Sequence, residues 1–244
     1  MDGQATSRLV FSHFDDSHIP GLFEMENDPE VMRYINNCPP VPWKGYTEKI
    51  HAWFDQLAKN DPRLTYWAAH ERLTGEFVGW FHLRPNARYD NHVELGYRLR
   101  RNFWGRGYAT EGSRALLDRA FNELELRYVM AQTLEGNLAS RRVMEKAGMQ
   151  FECSFVYPPE LLPFWDEAQR RAVRYAKRAN PVASCGEGEP PGEPFARHGG
   201  SAGASPSQSR KHLSPFHRHQ RQPLPPPNDL AVLFPNPHQG ADGG

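Results

Sequence analysis

The stretch that decides the fold runs from residue 98 to residue 112 and reads Arg98-Leu99-Arg100-Arg101-Asn102-Phe103-Trp104-Gly105-Arg106-Gly107-Tyr108-Ala109-Thr110-Glu111-Gly112. Apolar and polar residues alternate just before it, over Val93–Leu99, as they do in a β-strand. Beyond it, apolar residues recur at helical spacing at positions 116, 117, 120, 121 and 124. The sequence therefore predicts a strand, a turn that contains Gly105 and Gly107, and a helix.

The predicted turn has the features of an anion site. N–H groups in the first turn of a helix have no partner within the helix, and the helix dipole places partial positive charge there. Glycines lack the Cβ atoms that would hold a ligand away from those groups. Arginines at positions 98, 100, 101 and 106 bring positive charge to the same region. The sequence thus predicts a phosphate or pyrophosphate site at this turn.

Three nucleotide-binding patterns and a plain turn compete for this stretch. The Gly-x-x-x-x-Gly-Lys-Ser/Thr pattern of a P-loop is absent. Two requirements count against a dinucleotide-binding fold. It would need a small residue in place of Thr110, and its glycine turn would belong to the first unit of a doubly wound sheet. An acyl-coenzyme A loop reads Arg/Gln-x-x-Gly-x-Gly/Ala, and residues 104–109 match it except at the first position. A glycine turn that binds no ligand has the same short pattern.

The segments around the turn predict a mixed α/β sheet. A strand near Arg8 is followed by helical patterns that begin near residues 19, 29 and 46. A hairpin with its turn at Gly75 comes next. The remaining predicted elements are a strand at 128–133, a helix over 138–146, and strands at 151–156 and 171–176.

The composition changes near residue 179. Residues 180–244 contain 12 prolines and 9 glycines but no Trp, Tyr, Ile or Met. Such a segment buries too little apolar surface to offset the entropy lost on ordering. We predict one domain over residues 6–178 and a disordered, low-complexity tail, rich in Pro, Gly and His, over residues 179–244.

Composition and charge exclude several classes of protein. Lys and Arg number 29, as do Asp and Glu, so bulk charge does not favour nucleic acid. No run approaches the roughly 18 apolar residues of a membrane helix, and the first residues lack the pattern of a secretory signal. Cys38, Cys153 and Cys185 show neither metal-ligand nor disulfide spacing. We expect a cytoplasmic protein with no metal site and neither a nucleic acid nor a membrane as partner.

Short motifs stand in order along most of the predicted domain. They are Thr6-x-Arg8-Leu9-Val10, Asp28-Pro29-Glu30-Val31-Met32-Arg33-Tyr34, Glu94-Leu95-Gly96-Tyr97, Trp104-Gly105-Arg106-Gly107-Tyr108-Ala109-Thr110-Glu111, Asn137-x-x-Ser140 and Glu145-Lys146-Ala147-Gly148-Met149-x-Phe151. This collinear set resembles the GNAT superfamily of N-acetyltransferases, and in particular the branch that includes the ribosomal-protein-alanine acetyltransferases. The resemblance covers residues 6–178 and implies a single GNAT-like α/β domain with a splayed central sheet.

The resemblance implies acetyl-CoA as co-substrate. Backbone N–H groups of the turn would hold its pyrophosphate, and those near Tyr97 and Leu99 would contact the pantetheine arm and polarise the thioester carbonyl. Asn137 is either a helix cap or a ligand of the pantetheine amide, and Arg142 is a candidate for the 3′-phosphate. The implied cofactor-binding residues of the turn are Trp104, Gly105, Arg106, Gly107, Tyr108, Ala109 and Thr110.

The resemblance also implies two catalytic side chains. The attacking amine must be neutral, and an ammonium with a pKa of about 8 to 10 needs a base at pH 7. Glu94, at the start of the strand that leads to the cofactor, is the predicted base, although a solvent-facing carboxylate fits the same position. Many superfamily members have a Tyr seven residues after the Asn that precedes the helix, and here that residue is Met144. Ser140 is therefore the predicted proton donor to the leaving thiolate.

The expected activity is transfer of an acetyl group from acetyl-CoA to a primary amine, by direct attack within a ternary complex. The amine belongs to a protein N-terminus or to a small molecule, and no charge pattern in the sequence selects between them. We expect the loop Asn36–Tyr46 and the segment Pro158–Trp165 to flank its entrance. Because Met144 replaces the usual Tyr, a non-catalytic acyl-CoA-binding or regulatory module is the alternative. The sequence indicates no oligomeric state.

Overall fold

A computed structural model describes residues 4–35 and 40–179 of the chain. Its strands are β1 (Leu9–Ser12), β2 (Tyr66–Glu71), β3 (Phe77–Asn86), β4 (His92–Leu99), β5 (Tyr128–Leu134), β6 (Gln150–Val156) and β7 (Arg171–Arg178). They form one sheet of seven strands in the order β1-β2-β3-β4-β5-β7-β6. Neighbouring strands are antiparallel except β4 and β5, which run parallel.

The described residues also form α1 (Ile19–Asn27), α2 (Pro29–Met32), α3 (Tyr46–Lys59), α4 (Tyr108–Asn122) and α5 (Leu138–Lys146). Local signals fix where several of them begin. Asp28 caps α2 by accepting a hydrogen bond from the N–H of Glu30. Gly45 and Gly107 precede α3 and α4 with φ angles of +79° and +84°, a region that other residues enter at a cost.

An apolar layer covers each face of the sheet. On one face, α4 and α5 pack over β3 to β5, where Phe81, Leu95 and Leu116 are buried. On the other face, α1 and α3 pack over β2 and β3 through residues such as Ile50 and Trp80. Alternation along a strand sends Trp80 and Phe81 to opposite faces. Burial on both faces accounts for the apolar character of the central strands.

The predicted mixed α/β sheet and the predicted order of its elements are confirmed. One boundary is wrong, because residues 84–86 were expected in a loop and instead continue β3. They pair with residues 92–94 of β4 in unbroken register. The domain limits of 6–178 stay a prediction, and the predicted tail lies outside the described residues from residue 180 onward.

Within the described ranges, none of the helices combines the length and the apolar character that crossing a bilayer requires.

Candidate active site

The strands β4 and β5 begin side by side and then separate. They pair only at Val93 with Val129 and at Glu94 with Met130. Beyond Glu94, β4 keeps its pairing with β3, and β5 keeps its pairing with β7. A wedge-shaped gap therefore opens between two parallel strands in the middle of the sheet, as expected for a splayed central sheet.

The backbone of β4 presents hydrogen-bonding groups to this gap. The N–H of Arg100 donates to the carbonyl of Val78, so at this residue the backbone groups face β3. Backbone groups of successive residues in a strand point to opposite edges. The N–H groups of Tyr97 and Leu99, beyond the last β4–β5 pair, therefore point into the gap, where an extended ligand can pair with them as a further strand would.

The glycine turn follows the open end of β4. Gly105 and Gly107 have φ angles of +73° and +84°, and the space beside Gly105 is open for 4 Å. Gly107 immediately precedes α4, so the N–H groups of the first three residues of α4 have no partner within the helix. The indole N–H of Trp104 donates to the carbonyl of Leu99 over 2.9 Å and ties the turn to the strand. The turn thus presents helix N-terminal N–H groups beside the gap.

The N-terminal segment holds this turn in place. Glu111, in the first turn of α4, accepts hydrogen bonds from the hydroxyls of Thr6 and Ser7 and from the backbone and guanidinium of Arg8. Arg8 also donates to the carbonyl of Arg106 over 2.9 Å. Burial acts to raise the pKa of Glu111, but these hydrogen bonds outweigh it and hold that pKa below its ordinary value. The carboxylate therefore stays charged and links the segment to α4.

One cavity of about 670 Å³ joins the gap, the turn and the start of α5. Its turn side consists of the gap-facing edge of β4, residues 104, 105 and 107–110, and the start of α5. The side chain of Arg106 is not part of the lining, and its guanidinium lies 5.5 Å from the ring centre of Phe103. The other predicted site residues all line the cavity: Glu94, Tyr97, Leu99, Trp104, Gly105, Gly107, Tyr108, Ala109, Thr110, Asn137, Ser140 and Arg142.

Two hydroxyl groups meet where α5 begins. The side-chain oxygen of Asn137 accepts a hydrogen bond from the N–H of Ser140 over 3.1 Å, so Asn137 caps the helix. The hydroxyls of Ser140 and Tyr97 are 3.1 Å apart. Burial raises the pKa of Tyr97 to about 12, so the phenol keeps its proton at neutral pH. Ser140 was predicted as a site residue from the sequence, whereas Tyr97 was predicted to contribute only its backbone N–H.

Glu94 lies where β4 and β5 separate. Its Oε2 accepts hydrogen bonds from Arg84 over 3.1 Å and from Asn86 over 3.0 Å. The side chain is only 13% exposed and lines the cavity. It is therefore part of the cavity wall and not a solvent-facing carboxylate of the sheet.

Side chains form the aromatic side of the cavity, which we define as Tyr66, Trp80, His82 and Glu94. The ring centre of His82 lies 4.6 Å from that of Tyr66 and 5.7 Å from that of Trp80. Burial, followed by the charges of two nearby arginines, holds the pKa of His82 well below its ordinary value. The imidazole is therefore neutral at pH 7. His82 was not among the site residues predicted from the sequence.

The expected entrance segments are only partly described. Leu161 and Leu162, within the segment Pro158–Trp165, line the cavity. So do Tyr34 and Ile35, which directly precede the loop that was expected to flank the entrance. Residues 36–39 of that loop lie outside the described residues.

Three of the four arginines that were expected to bring charge to the turn, all except Arg106, have other partners. Arg98 is 4% exposed, and its guanidinium lies 5.1 Å from the ring centre of Trp80, on the other face of β4 from Leu99. Arg100 and Arg101 pair instead with acidic side chains, which are Glu24, Glu76 and Asp28. This part of the sequence analysis is wrong. What the turn offers an anion is mainly its backbone N–H groups.

Comparison with known proteins assigns this fold and cavity to a family. Residues 8–150 match the family model described as an acetyltransferase (GNAT) domain. That match covers more than half of the chain, and the chain belongs to the GNAT acetyltransferases. The prediction of a GNAT N-acetyltransferase is thereby confirmed.

Individual relatives are similar over most of the described residues. A protein of Aspergillus fumigatus named FsC-acetyl coenzyme A-N(2)-transacetylase is 34% identical over 155 residues, which cover 59% of this chain and 63% of that protein, less than two thirds of its length. YkkB of Bacillus subtilis, an uncharacterized protein, is 37% identical over 148 residues, which cover 60% of this chain and 84% of YkkB.

A solved structure shares the fold. It is that of the ribosomal alpha-N-protein acetyltransferase RimL in complex with coenzyme A, which is 16% identical to this chain with a TM-score of 0.55. The match covers 72% of this chain and 97% of RimL. At this identity the likeness shows the fold alone.

Proposed function

We propose that this chain transfers the acetyl group of acetyl-CoA to a primary amine by direct attack within a ternary complex. One observation carries the proposal: the glycine turn at the start of α4 and the gap between β4 and β5 belong to a single cavity. A cavity of that form accepts a phosphate group at one end and an extended arm along the strand edge.

The turn side is the proposed acetyl-CoA site. The N–H groups of residues 105–110 bind the pyrophosphate, and Arg142, which is exposed at the cavity edge, reaches the 3′-phosphate. The N–H of Trp104, which was expected to belong to this set, donates instead to the carbonyl of Arg101 over 3.0 Å. The gap-facing N–H groups of Tyr97 and Leu99 bind the pantetheine arm and polarise the thioester carbonyl. Asn137 supports this site as the cap that fixes Ser140 at the cavity wall.

The catalytic roles follow from the groups that reach the cavity. Glu94 is the proposed base that takes a proton from the incoming ammonium, directly or through water. The neutral amine then attacks the thioester carbon, the nitrogen gives its second proton to water, the carbon–sulfur bond breaks, and the thiolate of CoA leaves. The hydroxyl of Ser140 gives that thiolate a proton, and its hydrogen-bonding contact with Tyr97 lets the phenol replace the proton. Tyr97 then regains a proton from water in the cavity, and Glu94 releases its proton to solvent.

The acceptor is proposed to be an amine on a protein N-terminus or on a small molecule. The Aspergillus relative is named as an acetyl coenzyme A-N(2)-transacetylase, and RimL is named as a ribosomal alpha-N-protein acetyltransferase. The aromatic side fits either class, because it combines apolar rings with one carboxylate that attracts an ammonium.

The test is thiol release from acetyl-CoA by the purified full chain with a panel of peptide, aminoglycoside, polyamine and amino-acid acceptors. We expect release that depends on one class of amine, with matching acetylated product by mass spectrometry. Acetyl-CoA binding without release for any amine would support the alternative, a non-catalytic acyl-CoA-binding module, for which Met144 in place of Tyr is the motivating observation. No binding of acetyl-CoA would overturn both.

A further inference from the structure

Every carboxylate that lines the cavity among the described residues is paired with an arginine. These carboxylates are those of Glu30 in α2 and Glu94 in β4. Oε2 of Glu94 lies 3.1 Å from Nη2 of Arg84, and Oε2 of Glu30 lies 3.7 Å from Nη1 of Arg33. Both arginines also line the cavity. Positions 36–39 of the entrance loop contain no acidic residue. A ligand in this part of the cavity therefore meets two ion pairs.

More positive charge lies close to the pair of Glu94 and Arg84. The side chain of Arg88, in the turn after β3, is near enough for its charge to act on both members of that pair. Arg98 also lines the cavity, and the acidic side chain whose charge acts on it is Glu26, which is buried and is not part of the lining. Positive charge therefore exceeds negative charge around Glu94.

This arrangement discriminates against an acceptor with several positive charges. Placing like charges next to each other in a partly buried site is unfavourable, because little water is present to screen them. Each ammonium beyond the one at Glu94 would lie near an arginine, and the described lining offers it no carboxylate without an arginine partner. An acceptor that carries one positive and one negative charge adds no net charge and avoids this cost.

The pair of Glu94 and Arg84 can hold two opposite charges side by side. Oε2 of Glu94 accepts the hydrogen bonds from Arg84 and Asn86, whereas Oε1 accepts none from the described residues. The side chains of Glu94 and Arg84 are 13% and 23% exposed, so both charges reach the cavity while water screens them only in part. An ammonium at Oε1 brings a carboxylate of the same molecule close to the guanidinium, which attracts it.

We propose that the acceptor is an amine that carries a carboxylate on the same molecule, with its ammonium at Glu94 and its carboxylate beside Arg84. The inference rests on the proposed function and names the acceptor class that the proposed function leaves open. A free amino acid has both groups close together, and a peptide N-terminus has them when an acidic residue follows. The apolar rings of the aromatic side contact the remainder of the molecule.

The first experiment varies the acceptor and uses the full chain unchanged. It measures kcat/KM for three amines of one carbon skeleton: leucine, leucinamide, and the diamine in which an aminomethyl group replaces the carboxylate. We expect kcat/KM to fall about tenfold from leucine to leucinamide and about 100-fold to the diamine, because each change adds positive charge beside Arg84. The polyamine and the aminoglycoside of the panel are expected to be poorer acceptors than leucine.

Two peptide amides distinguish the sources of the carboxylate. Both begin with leucine, and the second residue is glutamate in one and lysine in the other. A higher kcat/KM for the glutamate peptide than for free leucine would indicate a peptide acceptor, and the reverse would indicate a free amino acid. Either result supports the proposed class, provided that the glutamate peptide is a better acceptor than the lysine peptide.

The second experiment removes the charge proposed to hold the carboxylate. In Arg84→Gln we expect the advantage of leucine over leucinamide to fall from about tenfold to about twofold or less, and in Arg84→Lys we expect most of it to remain. A purely structural role for Arg84 would lower kcat/KM for both acceptors by the same factor. Arg63→Gln is the control, because Arg63 pairs with Asp61 over 2.8 Å but does not line the cavity. It should leave the advantage unchanged.

The failure of the inference differs from the failure of the proposed function. If wild type acetylates no amine, the proposed function fails, and the question of the acceptor class does not arise. If wild type acetylates the polyamine or the aminoglycoside with a higher kcat/KM than every amine that carries a carboxylate, the inference is overturned. An unchanged preference for leucine in folded Arg84→Gln would also overturn it. If that variant does not fold, the wild-type comparison of leucine, leucinamide and the diamine still decides.

Discussion

The two sides of the cavity are built from different parts of the chain. The turn side uses mainly main-chain groups of one continuous stretch, residues 95–110, together with the start of α5. The aromatic side uses side chains from three strands spread over residues 66–94. Main-chain groups can bind the parts that every acyl-CoA shares, whereas side chains set which acceptor fits. A local motif therefore reveals the first side, and only the folded sheet reveals the second.

The largest expected effect is on the turn side. Gly107→Glu places a side chain on a residue with φ of +84° and a carboxylate beside the proposed phosphate site. We expect acetyl-CoA affinity to fall by about 100-fold or more, because backbone strain and repulsion of the anion add together. Titration calorimetry with acetyl-CoA measures the loss.

The matched control for that substitution is Gly75→Glu. Gly75 has a φ of +74° with open space around it, but lies in the turn between β2 and β3 and does not line the cavity. Its backbone strain is similar, so it is expected to cost stability and leave acetyl-CoA affinity unchanged. Equal affinity losses in the two variants would contradict the phosphate site.

A smaller effect is expected from the aromatic side, and it should appear in a different constant. Gly96→Ala adds a Cβ atom 2.5 Å from the ring of His82, so the ring must move. We expect kcat to fall about 30-fold, because movement of a ring in the wall of the aromatic side misplaces the amine relative to the thioester, while acetyl-CoA affinity changes little. Steady-state kinetics and calorimetry on the same preparation separate the two.

Gly136→Ala serves as the control for that substitution. Its added Cβ would meet only Tyr34, at an ordinary contact distance of 3.8 Å. We expect wild-type kcat. If Gly96→Ala also has wild-type kcat, the position of His82 has no bearing on turnover.

The same contrast explains what the sequence could predict. The turn side follows from neighbours in sequence: two glycines, a helix start and the strand before them. Its prediction needed no knowledge of which strands are adjacent. Arg98 shows the limit of such reasoning, since proximity in sequence to the turn suggested a phosphate ligand, while strand alternation places its side chain over Trp80.

The aromatic side could not be predicted in this way. Trp80 and His82 alternate with Phe81, which indicates that they share a face of β3. Which face borders the cavity depends on where β4 and β5 part, and that is set by elements some distance along the chain. Sequence spacing likewise gave no reason to bring the hydroxyl of Tyr97 to Ser140 across 43 positions.

A still smaller effect on kcat is expected at Tyr97 and Ser140, the pair proposed to protonate the leaving thiolate. Tyr97→Phe and Ser140→Ala each remove one hydroxyl of a hydrogen-bonded pair. We expect each to lower kcat about tenfold, with the double variant no worse than twice that, because the two groups act as one donor. Tyr128→Phe, which removes a surface phenol bound to Glu152, is the control. If the losses in kcat multiplied in the double variant, the two hydroxyls would act independently and not as one donor.

The smallest effect on activity is expected at Glu111, whose hydrogen bonds to the N-terminal segment hold the turn in place. The free energy of unfolding is the more sensitive measurement for this residue. Glu111→Gln weakens the hydrogen bonds that Arg8 and Thr6 donate to a charged group with only 15% of its side chain exposed. We expect the free energy of unfolding at pH 7 to fall by about 1.5 kcal/mol.

The pKa of Glu111 determines how its contribution to the free energy of unfolding changes with pH. The pKa of Glu111 in the folded protein is below its ordinary value of 4.5. The carboxylate therefore contributes stability that is fully present above pH 4.5 and is lost as the pH falls through the lower, folded-state pKa. Wild type and Glu111→Gln should thus differ at pH 7 and converge in acid.

Urea unfolding at a series of pH values measures that difference. Glu48→Gln is the control, because Glu48 is an exposed carboxylate in the first turn of α3, which also follows a glycine with positive φ. It is expected to leave the free energy of unfolding nearly unchanged at every pH. If Glu111→Gln were as much less stable than wild type in acid as at pH 7, Glu111 would act through packing and not through its charge. In that case the turn side would not depend on a charged carboxylate for its position.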